Sequence, residues 1–350
     1  MKFSKNGMFS LILAGALTLF LIGGVFTPAG AAEKTIKWTF ASSSGAASNM
    51  WGFNPYPRFQ KMVEEATGGR LILETKVDLF DFKGTMIGVM KGGADIGFQR
   101  LPFVSGTFPL WDFGSLPFFF DNVYEYEAAL NDPRMIKLMD ETYAEKGMVK
   151  LLESPSTALD ALFGNKPIRT LKDFDGLKIR ASGLLPTLTL QLLGASPLTM
   201  SIMEISESLK RGTVDAVCTA PGYGLGAGMT DVTKYISYWP VQSGYGGAVV
   251  ANMKSWKALP PDIQKILKEV SRQMQAQVFF SSDSEYRVAR KGIEVAGLET
   301  IVPDKAEIDK ARQLAKPAIT KWVKIAGPRA EEVLAIAADY ASGAKIMLAK

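Results

Sequence analysis

The run DFDGLKIRASG, Asp173 to Gly183, decides how this chain is read, together with LGASPLTMSIMEISESLKRGTVDA, Leu193 to Ala216, which follows it. The first segment holds a short apolar strand, Leu177 and Ile179, that ends on Arg180 just before a Gly/Ser turn and a helix. A side chain at the C-terminal end of a strand in an open α/β sheet points toward the crevice where such sheets bind ligands. A guanidinium placed there is permanently charged and forked, so it matches a planar carboxylate through two parallel hydrogen bonds. The plainer reading of the same residue is a solvated arginine closing a strand.

Working outward, short apolar strands alternate with amphipathic helices. Strands are expected at Ile36–Ala41, Leu71–Val77, Ala94–Gln99, Val149–Glu153, Leu177–Ala181, Leu198–Ser201 and Ala216–Thr219. Helices are expected at Pro57–Ala66, Lys83–Lys91, Val123–Leu130, Arg134–Lys146, Leu185–Leu193 and Met203–Arg211. This alternation predicts α/β layers with largely parallel sheets. A local pattern occurs twice, as Lys91-Gly92-Gly93-Ala94-Asp95-Ile96 and Arg211-Gly212-Thr213-Val214-Asp215-Ala216. In each, a basic residue closes a helix and glycine takes the left-handed cap. The aspartate is then free to accept backbone hydrogen bonds where a strand begins. Two such units suggest two similar lobes. Beyond Pro260-Pro261, Asp262 to about Val295 reads as one long helix, with Ile263, Ile266, Leu267 and Val270 on an apolar stripe. Asp304 to Ala349 is helical again.

Composition narrows the chemistry. With 350 residues there is length for one large or two medium domains, and 47% hydrophobic against 21% charged residues is globular. The formal charge of +5 falls to +3 once Lys2 and Lys5 are removed with a leader, too mild and scattered for a nucleic-acid partner. Lys2 and Lys5 precede the uncharged apolar run Met8 to Phe26, and Ala29-Gly30-Ala31 supplies a small-x-small cleavage pattern. A cleaved signal peptide over residues 1–31, and a periplasmic mature protein, are therefore expected; an uncleaved anchor is the alternative. No cysteine follows the apolar run, so no lipid anchor is expected. The chain has no histidine, which rules out Ser-His-Asp and Cys-His nucleophile systems as normally built. Cys218 is the only cysteine, so neither a zinc site built on several cysteines nor a disulfide within the chain is expected.

These motifs, in this order, resemble the substrate-binding proteins of TRAP transporters, the DctP-type periplasmic carriers for organic acids. The resemblance rests on Asp173, Gly176, Leu177, Lys178, Ile179 and Arg180, on Gly194 to Met200, and on Glu204 to Asp215. It extends through EEATGGRLILE (Glu64 to Glu74), GGADIGF (Gly92 to Phe98), LPFFF (Leu116 to Phe120) and MKSWKALPPDIQKIL (Met253 to Leu267). It implies a two-lobed periplasmic binding protein fold with a long helix spanning both lobes. Lobe I would comprise 32–155 plus about 246–287, and lobe II 156–245 plus about 288–350. It also implies a small organic acid as ligand, TRAP membrane permease subunits as partners, no cofactor or metal, and a monomer.

Within that frame Arg180 clamps the ligand carboxylate. Arg100, after the strand Ala94–Gln99, is expected to face it from the other lobe. Two departures bear on specificity. After the V-D strand this chain has Val217, Cys218, Thr219 and Ala220 where many members place an asparagine or a nearby amide/acid pair. Thr219 can donate one hydroxyl, and Cys218 acts as a small apolar wall. Where many members carry a second arginine, the corresponding place falls near Asp160. That carboxylate would repel dicarboxylates, and could pair with Arg100 or with a cationic ligand group. Trp51 and Tyr223 are candidate cleft aromatics, along with Phe53, Tyr56, Phe80, Phe82, Trp111, Phe113 and Tyr245. The run Gly222-Tyr223-Gly224-Leu225-Gly226-Ala227 superficially fits G-x-G-x-x-A, but Pro221 precedes it and no acid follows at the required distance, so a flexible turn is expected. The expectation is a binding protein for a monocarboxylate. C4-dicarboxylate binding, a ligand-binding sensor, and an extracytoplasmic lyase-type enzyme are the alternatives.

Overall fold

The computed structural model describes residues 34–42, 56–81, 83–157, 160–200, 204–242 and 244–349. The expected leader, Trp51, Phe53, Phe82 and the side chain of Tyr245 lie outside the described residues. The first sheet is built from β1 (Ile36–Ser42), β2 (Leu71–Val77), β3 (Ile96–Arg100), β4 (Met148–Thr157) and β10 (Tyr245–Asn252), in the order β2-β1-β3-β10-β4. Helices α1 (Tyr56–Ala66), α2 (Thr85–Met90), α3 (Val123–Leu130) and α4 (Pro133–Glu145) belong to this half of the chain. The second sheet holds β5 (Ala161–Gly164), β6 (Lys178–Arg180), β7 (Ser196–Leu198), β8 (Ala216–Thr219), β9 (Tyr235–Ser237) and β11 (Glu299–Ile301), in the order β11-β9-β5-β8-β6-β7. Between its strands run α5 (Leu184–Leu192), α6 (Ile205–Lys210) and α7 (Pro221–Gly226); α8 (Met253–Ala258) and α9 (Pro261–Val295) follow β10. The chain closes with α10 (Lys305–Ala326), α11 (Ala330–Ala338) and α12 (Ala344–Met347).

The sheets are mixed, which corrects the expectation of largely parallel ones. β10 is antiparallel to both β3 and β4, and β5 is antiparallel to both β8 and β9. The cause is the way the chain changes sheets. β4 ends at Thr157 and β5 starts at Ala161, while β9 ends at Ser237 and β10 starts at Tyr245. A strand arriving from the other sheet enters at the edge where its new neighbours finish, so it runs against them.

The repeated glycine-aspartate unit is structural. Gly92 and Gly212 cap their helices with φ of 80° and 68°, a left-handed conformation that glycine alone adopts without cost. Asp95 then accepts the Thr39 amide of β1 at 2.8 Å, and Asp215 accepts the Lys178 amide of β6 at 2.9 Å. Each aspartate ties the start of its own strand to the parallel neighbour. The pair β1/β3 thus corresponds to β6/β8.

Helix α9 spans both halves. Its Ile263, Leu267, Val270 and Met274 pack with Phe40, Phe59 and Trp256 under the first sheet. Its far end places Ile293 among Phe163, Val217 and Met229 under the second. At mid-length the Ser282 hydroxyl donates to the Pro155 carbonyl at 3.1 Å, where the chain leaves the first sheet. Burying apolar area at both ends, at roughly 25 cal/mol per Å², makes this helix a shared wall of two cores.

Candidate functional site

Strand β6 brings Arg180 to its final position in register with Val217 of β8 and Leu198 of β7. The turn that follows needs Gly183, whose φ of 94° lies outside what a side-chained residue readily adopts, and α5 starts immediately after it. Arg180 is 4% exposed, and its buried Nε has no hydrogen-bond partner among the described residues. A buried cationic donor left unpaired is costly.

The neighbouring strand ends supply its surroundings. Asp160, also 4% exposed, precedes β5 and accepts a weak hydrogen bond from the Cys218 thiol at 3.8 Å. Burial pushes its carboxyl up to about 7, with the Arg180 charge pulling the other way. Burial likewise lifts the Cys218 thiol well above its usual range, and the Asp160 charge adds to this. Tyr223 on α7 is buried; burial raises its phenol and the Arg180 charge opposes the shift. Thr219 ends β8 opposite Ala161. Arg180, Asp160, Cys218, Thr219 and Tyr223 therefore gather at one edge of the second sheet.

Arg100 belongs to a different group. It ends β3, with its guanidinium carbon 5.8 Å from the centre of the Phe98 ring, and that ring lies 4.6 Å from Tyr56. Burial lifts the Tyr56 phenol well above its usual range, and the Arg100 charge opposes this. The acid that feels Arg100 is Glu285 of α9, not Asp160, which corrects the expected Asp160–Arg100 pairing. The reason is topological: Asp160 sits on the β4–β5 crossing beside β8 and β6, whereas Arg100 ends a strand of the other sheet. Burial pushes Glu285 up to about 7, with Arg100 opposing, and no described residue hydrogen-bonds its carboxylate.

Sequence reading missed Glu285, although a signal existed. Met274, Val278, Ser282, Glu285, Ala289 and Ile293 fall at helical spacing on one stripe of α9, and a carboxylate interrupts it. The Gly222 to Ala227 run is also corrected: it is the helix α7 with its C-cap, not a flexible turn. Gly222 and Gly224 are there for close packing. A Cβ on Gly222 would overlap Glu285 Oε1, one on Gly224 would overlap the Phe163 ring, and Gly292 of α9 makes room for Leu225, whose Cδ2 would lie 2.6 Å away.

A cavity of about 290 Å³ opens beside Asp160, with Tyr238, Tyr286, Lys305 and Arg312 in its walls. Its cations are already engaged: Lys305 with Asp309, Arg312 with Asp309 and Asp121. Among the described residues, the buried side-chain nitrogen without a hydrogen-bond partner is Arg180 Nε, and the candidate site is placed there. Among the described residues no group of three or more Cys, Asp or Glu residues could hold a metal ion.

Two mixed α/β sheets, two strand crossings and a helix shared by both define a two-lobed solute-binding protein, with its candidate site at the strand ends between the halves. The chain belongs to the bacterial extracellular solute-binding protein family 7, which matches residues 42–325, a family of binding proteins rather than enzymes. It is 25% identical over 220 residues to the C4-dicarboxylate-binding periplasmic protein of Rhodobacter capsulatus, a match covering 61% of this chain and 64% of that one. The chain spans 48% to 64% of the length of three curated relatives it matches. Among solved structures it is similar to a Bordetella pertussis extracytoplasmic solute receptor binding pyroglutamic acid, with a TM-score of 0.76, 19% identity, and coverage of 87% of this chain and 99% of that one. A TRAP periplasmic solute-binding protein from Sulfitobacter with bound β-D-galacturonate gives a TM-score of 0.75 at 20% identity, covering 87% and 100%.

Proposed function

We propose that this protein captures a monocarboxylic acid between its two lobes through Arg180, in the periplasm, and delivers it to the membrane subunits of a TRAP permease. The observation that carries the reading is the buried, unpaired Nε of Arg180 at the C-terminal end of β6. A ligand carboxylate supplies the missing acceptor, and the pair strengthens as closure excludes water from around it. Asp160 and Cys218 wall the same spot. A second carboxylate would meet the partly ionised Asp160 there and, at Arg100, a charge that Glu285 partly offsets. This favours monocarboxylates over C4-dicarboxylates. Pyroglutamate and galacturonate, named for the two structural neighbours, are monocarboxylic acids; the Rhodobacter relative is named for the other class.

With lobe I drawn as 32–155 plus about 246–287 and lobe II as 156–245 plus about 288–350, the hinge comprises the β4–β5 and β9–β10 crossings and the middle of α9. Closure is then a rotation about those three segments. The mature, monomeric protein begins at Ala32, or at Glu33 if cleavage shifts by one, which N-terminal sequencing of the exported form checks. The decisive experiment is mass spectrometry of acid retained through purification, followed by a thermal-shift screen of monocarboxylates against succinate and malate. Stabilisation by monocarboxylates above the C4 acids supports the reading, and micromolar succinate binding without any response to monocarboxylates overturns it.

A further inference from the structure

We propose that Glu285 is the second ligand-reading group of the cleft, accepting a hydrogen bond from an N–H or O–H group on the uncharged part of a monocarboxylate held by Arg180. This rests on the monocarboxylate reading above and deepens it. Glu285 is half-buried on the inward stripe of α9, so its carboxylate is partly desolvated and gains from a donor that reaches it. The protein has made room for this one: Gly222 lacks the Cβ that would collide with Oε1, and its φ does not lie in the left-handed region, so glycine there answers to the neighbour and not to the backbone. Arg100 offsets part of the charge, yet no described residue bonds to the oxygens.

Position ties this acid to Arg180. Gly222, which seats Glu285, is followed directly by Tyr223, whose phenol feels the Arg180 charge. One short helix therefore connects the two groups, the arginine reaching from the second sheet and the glutamate from the shared helix α9. A carboxylate at the first and a donor at the second fixes both position and orientation of a small acid. The chemistry selects lactam, hydroxy and sugar acids, and it disfavours acids whose remainder carries only acceptors or alkyl groups.

The test compares L-pyroglutamate with its lactone counterpart, 5-oxotetrahydrofuran-2-carboxylate, by titration calorimetry, with D-galacturonate as a second donor-bearing acid. The lactone keeps ring and carboxylate and lacks only the N–H. The wild-type protein is expected to prefer the lactam by about tenfold or more, because a site built around a donor rejects the analogue without it. Glu285→Ala should weaken the lactam alone and bring the two within about twofold of each other. Gly222→Ala keeps the acid and displaces its head, and should erode the same preference with an unchanged melting temperature, which excludes misfolding as the cause. If galacturonate is the acid that binds, Glu285→Ala should weaken it by about tenfold while Glu285→Gln, whose amide oxygen still accepts, stays within about threefold. A lactam preference unchanged in Glu285→Ala, with Arg180→Ala weakening lactam and lactone alike, overturns the role of Glu285 and leaves the carboxylate reading standing. Failure of the wild-type protein to bind any of the three acids overturns the Glu285 assignment, which selects them, while the monocarboxylate reading stands or falls with the thermal-shift screen.

Discussion

Arg180 and Arg312 are equally buried, each 4% exposed, yet their surroundings are opposite. Arg312 on α10 is saturated. It bonds Asp309 at 2.7 Å and Asp121, and its Nε donates to the Phe118 carbonyl at 3.3 Å. That carbonyl belongs to a phenylalanine held at a φ of 53°, an unfavourable conformation for a bulky side chain. Gly343 sits so close to the Phe118 carbonyl that no side chain would fit there, and its amide bonds Phe119 at 3.0 Å. The LPFFF motif is thus a strained corner pinned by an arginine. Arg180 has the same chemistry and pins nothing. Burial alone does not single out a candidate binding residue; burial with an unspent donor does.

The largest expected effect separates the two arginines by affinity. Replacing Arg180 with alanine should cost on the order of 2–5 kcal/mol of ligand binding, roughly 30-fold or more, with no loss of melting temperature. Lysine restores charge without the fork and should recover only part of the affinity. Calorimetry with the acid eluted from the wild-type protein is the measurement, and affinity within about threefold in Arg180→Ala would break the comparison. Arg312→Ala should behave in reverse. Stranding Asp121 and Asp309 and releasing Phe118 should cost about 2–4 kcal/mol of stability by denaturant titration, with ligand affinity little changed well below the midpoint. Equal stability losses in the two variants would dissolve the distinction.

A smaller effect follows from pH. Burial raises Asp112 to about 8 and Glu153 and Asp160 to about 7, against ordinary values of 3.8 for aspartate and 4.5 for glutamate. Between pH 4 and 8 the folded protein therefore holds more protons than the unfolded chain, so stability falls as pH rises through that window and levels off above it. Asp132, held low by Arg134, gives its own contribution below that range. The melting temperature should be higher at pH 5 than at pH 8, by a few degrees for ~1 kcal/mol realised. Asp160→Asn should flatten part of the slope, and a melting temperature that climbs from pH 5 to pH 8 would contradict the buried, poorly paired state of these acids. The smallest effect concerns Cys218: it should resist alkylation in the folded protein and react once unfolded, since its thiol is buried beside an acid. Rapid labelling of the native protein would show that the wall next to Arg180 is open.

Local signals in the sequence carried far. Leu71–Val77, Val123–Leu130 and Ala216–Thr219 have the expected bounds, because alternation, an Asn cap and a glycine-aspartate start fix them within a few residues. Arg180 was legible for the same reason, since its strand end and turn are contiguous. The strands β5, β9, β10 and β11 were not. Ala161–Gly164 is apolar throughout and Tyr245–Asn252 carries Gly246 and Gly247 near its start, so neither alternates; both are defined by partners far along the chain. Glu285 and Arg312 share that limit. Each lies on a helix whose periodicity was readable, but Gly222 and Phe118 give them meaning, and only the fold brings those together.

The order of strands in the first sheet sets a timetable for synthesis. Among the described residues β4 sits at the sheet's edge with β10 as its only strand neighbour, and β10 is made nearly a hundred residues later. Until Asn252 has emerged, the fourth strand has nothing to pair with and the first lobe cannot close, although most of it has long been translated. Neither half could then be produced alone as an uninterrupted fragment, and the chain should fold late and as a unit. A strand made this late keeps the first sheet incomplete until most of the second has been synthesised.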